Sequence, residues 1–243
     1  MRDQLLDLVK HTYGLGVIDI VKLTSTEDET TVDSIANDNS VVLHAEFKRH
    51  IPGLVGVFGM PQLNKLSTIL NISEYKDHAK LTVSTQVREG QRIPEGLHFE
   101  NARGDFQNDF RFMSQQMVTE KLKIPRMKSV IWEVVFEPTL ANIQRLKFQT
   151  LAHNDDTQFA ARTEKGDLKF FFGDHSSHAG SFVFAEGVGD VLHTPLRFPI
   201  AIVNSILGLA GGKVFQISNS GVAQITVDSG LATYTYMLPA QTK

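Results

Sequence analysis

One plan is written twice in this chain, and a doubled unit restricts the fold more than any single motif does. FGMPQLNKLSTILNISEYKDHAKLTVS, residues 58–84, and RFPIAIVNSILGLAGGKVFQIS, residues 197–218, share one order of parts. Each has an aromatic shortly before a proline, a short run with helical apolar spacing, a turn and an alternating strand. Pro61 and Pro199 stand 138 residues apart. A proline in the first helical turn sacrifices no hydrogen bond, so both positions read as helix starts. The apolar positions that follow are Leu63, Leu66 and Leu70 in one half, and Ile202, Val203, Ile206 and Leu209 in the other. GLAGG, residues 208–212, stops the later helix.

An earlier helix precedes each of these, at an offset of about 135 residues. DQLLDLVKHT, residues 3–12, places Leu5, Leu6 and Val9 on one side, with Gln4, Asp7 and His11 roughly opposite. PTLANIQRLKFQTLAHND begins after Pro138 and draws its apolar stripe from Leu140, Ile143, Phe148 and Leu151. Asn142, Arg145 and Gln149 share its polar face. Between and after the helices, segments such as NSVVLHAEF, AKLTVST, TQFAART, DLKFFFGD, GSFVFAEG, GVAQITVD and LATYTYML alternate apolar and polar residues. Their Val, Phe, Thr and Tyr content marks half-buried antiparallel strands. The expected class is α+β, two similar domains, each two helices on an antiparallel sheet. The boundaries fall at 1–114 and 130–243, joined by a polar, basic connector over 115–129 that Pro125 interrupts.

Composition narrows the function classes. The 243 residues include no Cys, which removes disulfides, thiol nucleophiles and Cys-ligated zinc together and fits a reducing cytoplasm. A net charge of −3 is not the footprint of a domain that grips DNA by bulk charge, so any nucleic-acid role rests on local cations. No window has the length of apolar sequence that crosses a membrane, and MRDQLLDLVKH has no secretory apolar core.

The helix, strands, helix, strands plan written twice resembles the DNA sliding clamps, the processivity factors of replicative polymerases. EKLKIP followed by IWEVVFEPTLANIQRLKFQTL is similar to the interdomain connector, strand and first C-terminal-domain helix of the proliferating-cell nuclear antigen clamps, with Leu122, Ile124 and Pro125 in the Leu-x-Ile-Pro motif. YTYMLPAQTK resembles the final strand and tail of the family, and NDNSVVLHAEF its central loop and following strand. The absence of a strand before the first helix looks more like the shorter clamps of T-even-type bacteriophages.

That resemblance implies a non-catalytic homotrimeric ring without a cofactor. Three two-domain subunits close head to tail, helices line the hole and sheets form the wall. Threaded by duplex DNA, such a ring tethers the replicative DNA polymerase, needs an ATP-dependent clamp loader to open it, and in phage relatives also serves transcription factors. Its place would be the cytoplasm, of the host if phage-encoded. Pore residues expected on the helix faces are Lys10, His11, Lys65, Arg145 and Lys147, with Lys76, Lys80 and Lys213 as further loop cations. By motif match, a groove for partner peptides takes Val41, Leu43, Leu122, Ile124, Pro125, Met237, Leu238 and Pro239.

Two rival classes stand beside this. FFFGDHSSHAGS, residues 170–181, supplies Asp174, His175 and His178, and LAHNDD adds His153, Asp155 and Asp156, ligand types for a metal-dependent hydrolase. Gly173 and Gly180, however, bracket the former segment as a hairpin tip. GLAGGKV fails as a phosphate loop, since Val214 stands where a magnesium-binding Ser or Thr belongs. The other rival is a β-rich, self-assembling virion or scaffold protein, which explains composition but not the two-helix repeat.

Overall fold

Helices placed by Pro61 and Pro199 recur in a computed structural model of the chain, which describes all residues except 89, 126–128, 174–177 and 242–243, and excludes the side chains of Arg88 and Gln91. Two compact units form: Met1–Pro125 with Ser229–Tyr234, and Arg126–Asp228 with Thr235–Lys243.

In the first unit the chain runs through α1 (Arg2–His11), β1 (Val21–Ser25), β2 (Thr30–Ile35), β3 (Val42–Phe47), β4 (Gly56–Met60) and α2 (Leu63–Leu70). It continues through β5 (Lys80–Arg88), β6 (Gln91–Glu100), β7 (Gln107–Arg111), β8 (Met113–Ser114) and α3 (Gln115–Lys121). One sheet has the order β8-β4-β1-β2-β3 and another β5-β6-β7, with antiparallel neighbours throughout. Period-two burial drives the first: Val21, Leu23 and Val32 are wholly buried while Lys22, Thr24, Thr31 and Asp33 face outward. Strands β2 and β4 were not expected, because TTVDSI carries few large apolar residues and GVFGM is interrupted by Gly56 and Gly59. α2 starts two residues after Pro61, with Gln62 in the left-handed region at φ 52°. Its Leu63, Leu66 and Leu70 are all buried, as the spacing predicts.

The first half of the expected connector is not extended. Ser114 caps α3 by accepting a hydrogen bond from the Met117 amide at 3.4 Å. Val118 and Leu122 then bury against Ile20, with Ile35, Met113 and Ile124 packed around them. The end of the expected connector, residues 126–128, lies outside the described residues.

The second unit holds β9 (Val134–Phe136), α4 (Leu140–Ala152), β10 (Gln158–Glu164), β11 (Asp167–Gly173), β12 (Ala179–Ala185) and β13 (Leu196–Pro199). Then come α5 (Ile200–Leu207), β14 (Gly212–Ser218), β15 (Val222–Asp228) and the later part of β16 (Ala232–Pro239), whose first residues fall in the first unit. Its sheets are ordered β12-β11-β10-β13 and β16-β15-β14-β9. Phe159, Phe170, Phe172, Phe184, Phe198 and Phe215 form a buried aromatic core.

The repeat is now explicit. β4-β1-β2-β3 has the same order as β13-β10-β11-β12, and β5-β6-β7 matches β14-β15-β16. In each unit the two long-spaced helices pack together: Arg2 Nη2 donates to Leu70 O at 2.7 Å, and Asn204 Nδ2 to Thr150 Oγ1 at 2.7 Å. Among the described residues, no helix is long and apolar enough to cross a membrane.

Candidate functional site

A clamp reading asks two things of this fold: cations on helix faces, and open strand edges where another copy could join. The first is answered residue by residue. Lys10 on α1, Lys65 on α2 and Lys147 on α4 are exposed, and among the described residues none of them is within an ion pair. His11 departs from its expected place. It is 1% exposed, its ring stacks on Tyr234 at 4.2 Å, and Nδ1 lies 2.9 Å from the Asp7 carbonyl oxygen. The buried face of α1 is Leu5, Leu8 and Val9 together with His11, so His11 was assigned to the wrong side, while Leu6 is half-buried. Asp7 turns the same way: its Oδ2 accepts from Ser229 Oγ at 2.8 Å and from Tyr234 OH at 2.9 Å, all within the first unit.

Arg145 is exposed but engaged. Its Nη1 donates to Val183 O at 3.2 Å and its guanidinium carbon lies 5.2 Å from the Phe182 ring centre. α4 is also turned relative to expectation. Ile143 and Leu146 are buried, whereas Leu140 is 85%, Leu151 74% and Phe148 59% exposed. The sequence stripe Leu140, Phe148, Leu151 therefore faces outward, with Lys147 beside it. Of the loop cations, Lys76 is exposed, Lys80 pairs with Glu100 at 3.0 Å and Lys213 Nζ turns back to Gly211 O at 3.0 Å.

Of the expected groove residues in the first unit, Val41, Leu43 and Leu122 are buried, Ile124 is half-buried and Pro125 exposed. Met237 and Leu238 are buried and Pro239 exposed in the second unit. Buried Val41, Leu43 and Leu238 are packing residues of their strands and turns, so the side chains available for contact are fewer than the motif suggests. Asp174 and His175 of the histidine segment lie outside the described residues, and His178 is exposed. His153 is buried on Phe172 with Nδ1 3.4 Å from Asp156 Oδ2. Among the described residues no three His, Asp or Glu side chains stand together as a metal site.

Strand edges were not read from the sequence. The opening of β16, Ala232–Tyr234, belongs to the first unit and neighbours β3 there, with Lys48 N donating to Leu231 O at 2.9 Å just before it. Its counterpart in the repeat, β7, ends its sheet, and β12, the counterpart of β3, ends the other. Among the described residues, one β3-like edge and one β16-like edge thus lack a neighbouring strand, and open edges invite another chain.

β3 also carries a charge cluster that makes stability depend on pH. His44 Nδ1 lies 2.7 Å from Asp33 Oδ1, and Nε2 lies 3.2 Å from Glu46 Oε1. The Asp33 hydrogen bond raises the His44 pKa above its ordinary value, partial burial opposes this, and Glu46 adds to the rise. A raised folded-state pKa gives stability that is full below about pH 6.5 and is lost as pH rises through the folded value. Denaturant midpoints of wild type and His44→Gln are therefore expected to differ at acid pH, by no more than about 1 kcal/mol for so exposed a pair, and to converge at alkaline pH. A gap that widens with pH contradicts the assignment.

No known protein family matches the sequence, and no curated protein does. Solved structures do. The chain is similar to the A. fulgidus PCNA in the structure of the C-terminal region of FEN-1 bound to it, at 12% identity and TM-score 0.67, covering 100% of this chain and 97% of that one. It is also similar to PCNA from Thermococcus kodakaraensis, at 12% identity and TM-score 0.65, over 99% and 97%. The α+β clamp fold follows from these matches along the full length.

Proposed function

We propose that the chain is a DNA sliding clamp: a homotrimer closed head to tail that encircles duplex DNA and tethers a replicative polymerase, without catalysing a reaction itself. The observation that carries this is the pair of complementary open edges, β7 and β12, left by a repeat whose equivalent pair is joined inside the chain. A contact between two different patches generates a closed ring or an open filament according to its rotation. A ring holds DNA by topology, so it works without a tight phosphate grip, which suits a net charge of −3. Lys10 and Lys65 are the helix cations assigned to the duplex. Opening is assigned to an ATP-dependent loader, and transcription factors are further partners if the chain is of the phage type.

The test is light scattering over a concentration series, with the separated species imaged. Three chains in a ring with a duplex-sized hole is the expected result; a monomer at every concentration, or a filament, refutes it. Partner peptides are assigned to the half-buried Ile124 beside Leu122. Ile124→Ser is expected to weaken capture of a cognate polymerase C-terminal peptide about tenfold, the scale of losing one apolar anchor. Unchanged capture removes Ile124 from the site.

A further inference from the structure

We infer that the outer edge of β5 receives an extended segment of a partner protein, with large apolar side chains at alternate positions, which joins the sheet β5-β6-β7 as a fourth strand. The inference does not depend on ring closure. The internal repeat shows what the first unit lacks. In the second unit β9 pairs antiparallel with β14, Phe136 opposite Phe215 and Val134 opposite Ile217. Among the described residues β5, the counterpart of β14, has β6 as its one neighbouring strand. No backbone bond outside that pairing engages residues 80–87 among the described residues. Every second residue of β5 therefore turns its N–H and C=O toward a side that no strand fills.

Side-chain burial records the same gap. Phe215, fourth in β14, is wholly buried, as is Ile217 two residues on. Phe136 of β9 stacks on Phe215 with ring centres 5.4 Å apart and closes that side. Val83, fourth in β5, is only half-buried, and so is Leu81. Leu81 pairs with Phe99 and Val83 with Leu97, which sets all four side chains on one face, yet Phe99 and Leu97 are 2% and 0% exposed. The core is thus filled as far as β6 and opens at β5. Farther along, Gln86 lines a cleft of about 1340 Å³ with Val57 and with Val55, which is 43% exposed, so apolar surface continues past the middle of the strand. The strand that closes the equivalent edge defines the chemistry of the occupant: a run like WEVVFE, whose Val134 and Phe136 turn to the core while Val135 is 56% exposed. Main-chain bonds to β5 supply affinity, and apolar side chains landing beside Leu81 and Val83 supply selectivity. The segment comes from a partner and not from a second copy, whose own β9 is held against β14.

The experiment mixes the full chain with a fluorescein-labelled peptide of the β9 sequence, IWEVVFEP, reads binding by anisotropy, and compares amide exchange of the free and bound protein. Binding is expected, with exchange slowed over residues 80–87 and unchanged over β7, β12 and β14. Val83→Asp is expected to weaken it about tenfold or more, the scale of losing one apolar contact and burying a charge. The peptide is varied as well, so that the result does not rest on a protein variant that must fold. Two versions carry N-methyl groups on alternate residues, in complementary sets. One set is expected to abolish binding and the other to leave most of it, because only alternate N–H groups of an added strand face its neighbour. Equal loss from the two sets overturns strand addition. Slowed exchange at β7 or β12 instead of β5 assigns the peptide to other edges, slowed exchange at β14 to displacement of β9, and loss of binding in Ile124→Ser to the partner groove; each overturns the inference. So does a peptide that never binds, and since ring formation is read separately from the mass of the chain alone, that result leaves the clamp reading untouched.

Discussion

Phe170→Ala is expected to destabilise the second unit by about 3–5 kcal/mol, the range for a buried Phe truncated to Ala. Phe170 is wholly buried on β11, with ring centres 4.2 Å from Phe159, 4.4 Å from Phe184 and 5.9 Å from Phe182. Its removal opens a cavity at the point where three strands contribute aromatics, and β-sheet backbone on both sides keeps the neighbours from closing in. Loss of the edge-to-face and stacked pairs adds to the transfer cost. Urea melts followed by a probe in each unit measure this, and the probe in the second unit is the one that shifts. A change under about 1 kcal/mol in that probe contradicts the packing described, since it means the cluster can collapse into the space.

Asp7→Ala is expected to cost about 2–4 kcal/mol in the first unit, because two hydroxyls lose one charged acceptor in a site that water barely enters. Asp7 is 12% exposed at its side chain, and accepts from both Ser229 and Tyr234. Those residues open the last strand, so the loss is local: amide exchange over 229–234 speeds up. Asp7→Asn retains one acceptor oxygen and is expected to lose less. Equal effects of the two substitutions, or unchanged exchange over that segment, contradict the role given to the carboxylate.

The same two places show what a sequence can and cannot disclose. The helices after Pro61 and Pro199 were legible because proline, apolar spacing and the glycines of GLAGG all agree, and local signals suffice for a helix buried on one side. The strands rich in Phe, Val and Tyr were legible by alternation, whereas β2, poor in large apolar residues, and β4, short and interrupted by Gly56 and Gly59, were not. His11 and Asp7 read as a polar face because their partners, Ser229 and Tyr234, are more than 220 residues away from Asp7 along the chain. Helical periodicity reports that two faces differ; it does not report a polar contact with a distant strand. α4 failed for another reason. It has apolar residues on both faces, Ile143 and Leu146 inward and Leu140, Phe148 and Leu151 outward, so the stripe was ambiguous in sequence. The connector motif was legible by resemblance, but its helical first half, capped by Ser114, was read past: Gln115, Gln116, Met117, Glu120 and Lys121 favour helix, yet the segment buries only Val118 and Leu122 and so shows no apolar stripe.

Topology is the centre of this account, and the absence of cysteine allows it to be tested directly. Asp109→Cys on β7 and Ser181→Cys on β12 place one thiol on each open edge, both at exposed positions. Subunits assembled from dilute solution with a nicked circular plasmid and then joined by a short bis-maleimide are washed in about 1 M salt, where phosphate contacts are screened. The account predicts that crosslinked protein stays on the circle and is released when one restriction cut makes the plasmid linear. Protein lost from the circle in salt, or retained equally after the cut, would contradict it.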